Sequence, residues 1–354
     1  MGGVQQRIAR SLARAPQETR SDYDDLLAKL DASPQLIGDT LARLKLGLAQ
    51  GITPPRVTLR DIPEQIRAQM VQNNNPILAP FTTMPASMTA EAQDSFRRQA
   101  QTILTEKIVP AYQALLDYVE HTYLPAARTT IGMSQLPDGR AWYALRIQNA
   151  TTTTMTAEEI HALGLREVTR LNKALDAVRQ EIGFEGDLAA FRTYMKSDPQ
   201  FFFDDPDELI AAYRDVAKRA DYAMPGLFAN LPRLPYGVLP VPAYAEKSQP
   251  AAYYQSGSLA TGKAGTFFAN TYDLGSRPRW EMKPLTLHEA VPGHHHQLSL
   301  AQEQGSLPNF RRYGGYTAFV EGWGLYAETL GYDMGLYQTA YDRYGQLTYE
   351  MWRA

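Results

Sequence analysis

Apolar residues recur along this chain mainly at helical spacing. Between Ile160 and Ile182 they fall at Ile160, Leu163, Val168, Leu171, Leu175, Val178 and Ile182. Steps of three to five residues keep one buried stripe along roughly six turns. Thr156 and Glu159 make a capping-box pattern ahead of the run, and Gly183 stands where a C-cap belongs. The pattern predicts a long helix with defined ends. A second periodic run covers Ile103–Leu124 and is expected to kink at Pro110, because proline lacks the backbone donor and crowds the preceding turn. Shorter helices are predicted for Asp22–Lys45, Asp207–Ala223, His295–Gln304 and Ala318–Leu330. Two segments, Ala141–Asn149 and Gly265–Tyr272, are rich in aromatic and β-branched residues and read as extended. The proline-rich Asn230–Tyr244 reads as an extended connection with no helix. No internal repeat is present. The fold class expected is mainly α with a small β-sheet.

Size adds one choice: 354 residues with 44% hydrophobic content suit one large domain or two modest ones. The reading favoured is a poorly defined segment over 1–21 and a single mainly helical domain over 22–354. The chain stops at YGQLTYEMWRA in the middle of a helical pattern, so truncation at the C-terminus is expected.

Charge and composition exclude more than they identify. With 35 basic and 38 acidic residues, a net charge of -3 and no long block of either sign, there is no electrostatic case for nucleic acid. No stretch reaches the ~18 apolar residues of a membrane-spanning segment. The N-terminal MGGVQQRIARSLARAPQE lacks the apolar run of a signal peptide, so the chain as given is expected to be soluble. There are no cysteines, which removes disulfides and thiolate ligands. A metal here would have to use His, Asp or Glu. Absence of cysteine suits cytoplasm and periplasm equally, and nothing in the sequence reports oligomeric state.

The candidate chemistry lies at residues 288–296, HEAVPGHHH, which hold four of the six histidines. Zinc hydrolases with an HExxH helix place two histidines one turn apart, each with a nitrogen about 2.0–2.1 Å from one ion. Here the position four after His288 is Pro292. In an unbroken helix His288 and His294 would stand about 9 Å apart along the axis and ~240° around it, too far to share an ion. A two-residue bulge at Pro292 and Gly293 would swing His294 into the missing place, giving a lengthened motif, H-E-x-x-P-G-H. Glu321, in the otherwise apolar YTAFVEGWGLYAETL, is the candidate third ligand, because a carboxylate there gains from a cation. Glu328 lies two turns on along the same face. It suits either orienting a histidine from behind or an ordinary salt bridge. Glu289 is the candidate base. Three adjacent histidines also fit a solvated turn. His295 and His296 read as neighbours of the site more than ligands, and His121 and His161 as structural or surface residues. A His/His/Glu set suits zinc without excluding manganese or cobalt. The strand GTFFANTY could offer an edge to a peptide by β-augmentation, with Gly265, Phe267 and Asn270 as substrate-binding candidates, or could be a plain structural strand.

Several segments together resemble the bacterial domain-of-unknown-function family 885: HEAVPGHHHQ (288–297), AFVEGWGLYAE (318–328), AGTFFANTY (264–272), LPDGRAWYALRIQNATTTTMTAEEIHALGLREVTR (136–170) and GITPPR (51–56). The resemblance runs from about Asp22 to the end. It implies a helical, cleft-containing, zincin-like (neurolysin-like) fold similar to zinc-dependent oligopeptidases and dipeptidyl carboxypeptidases, with the small sheet beside the active-site helix. It implies one zinc ion per chain on His288, His294 and Glu321, Glu289 as general base, and short peptides as substrate. It further implies a bacterial protein that is exported or lipid-anchored where a leader has been removed. Family members usually start earlier and continue beyond a W-R-A element such as Trp352–Ala354. Their further C-terminal helices would supply part of the cleft wall and the groups that steady an oxyanion. The expected activity is a zinc-dependent peptidase. The alternatives are another metal-dependent amide or ester hydrolase, and a non-catalytic peptide-binding protein.

Overall fold

A computed structural model describes residues 3–354. They fall into two compact units, one ending at Tyr143 and the other spanning Ala144–Ala354.

The first unit is built from α1 (Val4–Arg14), α2 (Arg20–Ala49), α3 (Ile62–Arg67), α4 (Ala90–Ile103), α5 (Val109–Tyr118) and α6 (Leu124–Ala126). Helix α1 occupies most of the segment that the sequence leaves undefined. Its Val4, Ile8 and Leu12, four residues apart, form one buried face. They share a core with Tyr23, Leu26, Leu30 and Ile37 of α2 and with Phe96, Leu104 and Tyr112. Thr19 and Asp22 close a capping box at the start of α2. Between α4 and α6 the backbone stays helical, with π-turns at Leu104–Ile108 and Val119–Tyr123. Each precedes a turn that carries a proline, Pro110 or Pro125. The kink expected at Pro110 is thus a pair of widened turns, which accommodate a residue with no N–H to donate.

Helix α7 (Gly139–Thr151) contains the division between the units. The strand expected over Ala141–Asn149 is a correction: the segment is helical. Its Ala141, Ala144, Leu145, Arg146 and Gln148 are strong helix formers, and they outweigh the two aromatics that suggested a strand.

The second unit opens with α8 (Ala157–Ile182), whose capping box at Thr156 and left-handed Gly183 (φ 73°) stand where the pattern placed them. Then follow α9 (Leu188–Ser197), α10 (Pro206–Leu227), β1 (Tyr236–Pro240), β2 (Ala252–Gln255) and β3 (Gly265–Ala269). The chain continues through α11 (Met282–Glu289), α12 (His294–Glu303), α13 (Asn309–Arg312), α14 (Thr317–Thr329) and α15 (Ala340–Arg353). Leu175 and Val178 of α8 pack with Phe191 and Met195 of α9, Trp280 and Tyr344. A second core joins Tyr213 of α10, Val238, Phe267, Leu285 of α11 and Tyr349 of α15. It seats the sheet against α11.

The sheet runs in the order β1-β3-β2, with β1 parallel and β2 antiparallel to β3. GTFFANTY is therefore the central strand, and the expectation that it offers a free edge is corrected. The proline-rich stretch contains no helix, and its middle pairs as β1. The fold class is mainly helical with a small sheet, as the pattern predicts. No helix among the described residues is long and apolar enough to cross a membrane.

Candidate metal centre

Helix α11 ends at Glu289, and α12 begins at His294. The HEAVPGHHH segment is thus two helices joined by a tight turn, where a bulge inside one helix was expected. Ala290 leaves helical geometry (φ -99°, ψ -108°), and a bond from His295 N to Ala290 O (3.0 Å) spans the break. The Val291–Pro292 peptide is cis. At Gly293 a Cβ would lie 1.9 Å from the His288 carbonyl oxygen and 2.3 Å from that of Leu287, so only glycine permits this approach. Trp323 of α14 donates its indole N–H to Pro292 O at 2.7 Å and ties the turn to the helix that carries Glu321.

The turn brings the two rings together. His288 and His294 have centroids 4.5 Å apart and planes at 81°. Both Nε2 atoms face Glu321 Oε2, at 3.4 Å from His288 and 3.8 Å from His294. The ligand atoms of all three residues lie within 4.8 Å of one another. Ligands 2.0–2.1 Å from a tetrahedral zinc ion are about 3.4 Å apart, so these spacings suit one ion with little movement. Both histidines are buried, while the Glu321 side chain is 55% exposed. Entry to the cluster is therefore from the Glu321 side. His294 Nδ1 has no hydrogen-bond partner in its buried position.

Behind His288 stands Glu328, whose side chain is 1% exposed. Its Oε1 lies 2.8 Å from His288 Nδ1 and accepts a bond from Arg353 Nη2 at 2.7 Å. Tyr337 donates its hydroxyl to the Glu328 carbonyl at 2.7 Å. Gly324 makes room for the imidazole, since a Cβ there would stand 2.5 Å from His288 Cε1.

Electrostatics follow from this packing. Burial opposes a charged His288, yet the facing carboxylates of Glu321 and Glu328 outweigh it and raise its pKa to about 9. Burial, then the neighbouring His288, push His294 down. His288 lowers Glu321, whereas burial raises Glu328. Glu289 is buried, and burial pushes its carboxyl up to about 7, against the opposing charge of His288. The backbone of Tyr254, on β2, partly offsets this rise.

The remaining candidates lie elsewhere. His295 points away from the cluster: its Nδ1 meets the Tyr254 hydroxyl at 2.8 Å and Ser299 Oγ at 3.3 Å. His296 packs with Phe228 and Trp323, which also meet each other. His121 and His161 are exposed. The assignment of Gly265, Phe267 and Asn270 to substrate is corrected. Phe267 is fully buried against Tyr213, and Gly265 is enclosed by the Tyr254 ring. Asn270 donates its amide to the carbonyls of Glu246, Gln249 and Pro250. Sequence reasoning missed Arg353, Trp323 and Tyr254. Trp323 and Arg353 stand far in sequence from the groups they contact, and Tyr254 lies in a four-residue strand.

The fold and site together define a mainly helical protein with a two-histidine, one-glutamate cluster of metal-ligand type, held on α11, α12 and α14. Over residues 1–354 the chain matches the family described as "Bacterial protein of unknown function (DUF885)", and it belongs to that family. It is similar to a crystal structure described as the "putative lipoprotein from Colwellia psychrerythraea", with 25% identity and a TM-score of 0.93. The match covers 100% of this chain and 62% of that one, so the chain spans under two thirds of its relative's length. A comparison with curated proteins finds no match.

Proposed function

We propose that this protein is a zinc-dependent peptidase acting on short peptides. The observation that carries the reading is the convergence of His288 Nε2, His294 Nε2 and Glu321 Oε2, with Glu328 orienting the first imidazole from behind. Two histidines and a carboxylate with one open side are a ligand set of catalytic zinc sites, and a carboxylate behind a ligating histidine fixes its tautomer. A divalent cation held there supplies polarisation of a scissile carbonyl and of a water molecule.

This chain's own residues supply the rest. Glu289 adjoins the cluster in a buried position that brings its pKa close to neutrality, where a carboxylate both accepts and releases a proton. It takes a proton from the attacking water and delivers it to the leaving amine. A backbone for substrate to lie along is offered by β2, an edge of the sheet beside α11. Asn270 N bonds Ala251 O, and antiparallel alternation then turns the Ala252 and Tyr254 backbone groups away from β3. An extended peptide placed beside β2 is presented to the cluster by strand addition.

Elemental mass spectrometry of the tag-free protein tests the metal: about one zinc per chain is expected, lost in His294→Ala. Glu289→Gln keeps the zinc and loses roughly 10²–10⁴ in turnover on a panel of short peptides. Unreduced turnover in Glu289→Gln removes this residue from the mechanism. Cleavage confined to non-peptide amides or esters in the same panel replaces the substrate class.

A further inference from the structure

Arg353, near the end of α15, reaches this network from outside the histidine and glutamate segments. Its Nη2 lies 2.7 Å from Glu328 Oε1 and 3.3 Å from His288 Nδ1, while its Nη1 donates to Tyr349 O at 2.8 Å. The guanidinium rests over the rings of Tyr349 (4.9 Å) and Trp352 (5.5 Å). Its head group is therefore fixed from its own helix before it meets the carboxylate. Glu328 is one of the most deeply buried charged groups among the described residues, and its Oε2 has no hydrogen-bond partner. A buried carboxylate with one oxygen unsatisfied depends on the partners of the other. Those partners are His288 Nδ1 and Arg353.

We infer that Arg353 is a positioning residue: through Glu328 it fixes the ring orientation of His288, so that Nδ1–H points to Glu328 and Nε2 faces His294 and Glu321. The inference rests on the metal reading for its consequence in binding, and on geometry alone for its consequence in the ring orientation. The ion pair holds Oε1 at the one place from which it can accept from Nδ1. Without it, the side-chain partner left to Glu328 Oε1 is the very ring that the carboxylate holds. A guanidinium suits the task because its rigid fork serves two acceptors at once, here Tyr349 O and Glu328 Oε1. Lysine keeps the charge but not the fork.

The test combines zinc affinity by chelator competition with nitrogen-15 NMR of the histidine rings in the metal-free protein. Wild type is expected to show a slowly exchanging proton on His288 Nδ1. Arg353→Met is expected to lose that signal and to weaken zinc binding roughly 10- to 100-fold, the scale of second-layer changes at metal sites. Arg353→Lys recovers part of both. In a Glu328→Gln background, Arg353→Met changes affinity by no more than about 2-fold, because the path runs through Glu328. A purely structural role would lower thermal stability without moving the Nδ1 proton. An Nδ1–H signal and zinc affinity unchanged in Arg353→Met overturn the inference, as does a full loss of affinity that persists in Glu328→Gln. If wild type takes up no zinc, the proposed function falls, while the Nδ1 proton in the metal-free variants still decides the role of Arg353.

Discussion

At Gly324 a single methyl group meets the His288 ring at 2.5 Å, well inside van der Waals contact. The imidazole cannot retreat, because Glu328 and His294 hold its other sides. Gly324→Ala is therefore expected to cost about 1–3 kcal/mol of stability by overpacking. It should also weaken zinc binding by roughly tenfold or more as the ring turns off its axis. Paired thermal melts and chelator competition check this, and wild-type affinity in the variant would mean that the ring has room to spare. In the sequence this glycine is visible as part of EGWG, but its purpose is not. Glycine occurs in helices for many reasons, and only the ring pressed against it explains this one. His288, His294 and Glu321 were legible because few residue types ligate metals and the chain has so few histidines. Asn270 misled for the opposite reason, since its three carbonyl partners lie in an irregular turn that no periodicity announces.

The longest buried stripe announced itself, while the short one of α1 and the segments exposed or enclosed on all sides did not. The pattern of α8 is explicit from cap to cap. Helix α7 is exposed along almost its whole length, so it carries no stripe to read. Strands β1 and β2 have five and four residues, too short for alternation to stand out. Helix α15 shows what an element contributes beyond its period. Thr339 and Asp342 close its capping box, and Asp342 also meets Lys283 of α11 at 2.7 Å, with both side chains mostly buried. Thr339→Ala is expected to cost about 1 kcal/mol, the value of a lost cap. Asp342→Ala should cost about 3 kcal/mol, because it also leaves Lys283 buried without its partner. Denaturant unfolding separates the two, and equal losses would show that the ion pair contributes nothing. Since the far end of the same helix carries Arg353, displacement of α15 in Asp342→Ala should also be felt at Glu328.

For the molecule as a whole, pH acts through Glu281, which stands before α11 and is pushed by burial up to about 7 from an ordinary 4.5, against the nearby charges of Arg277 and Lys196. Its folded pKa exceeds its unfolded one, so the folded state holds the proton more tightly. The contribution of Glu281 to stability therefore falls as pH rises from about 4.5 to about 7 and levels off above that. Glu281→Gln should remove this group's share of the pH dependence and leave that of Glu289, matching wild type near pH 4 and exceeding it at pH 8 by on the order of 1–3 kcal/mol. Parallel pH profiles of the unfolding midpoint decide it, and profiles that remain parallel would mean that Glu281 is not the group responsible. The division into two units was not legible, because it falls inside helix α7, where composition does not change.

The break between α11 and α12 makes the site impossible to transplant as a line of text. Where two ligating histidines share one helix, a short synthetic helix can hold them at the proper spacing. Here the spacing belongs to a turn fastened by Trp323, emptied at Gly293 and backed by an imidazole seat at Gly324. A peptide copied from 282–303 would carry every histidine of the motif and none of those restraints. Its affinity for metal would be that of a flexible histidine-rich strand. Anyone grafting this centre into another scaffold must carry α14 with it, and α15 behind that.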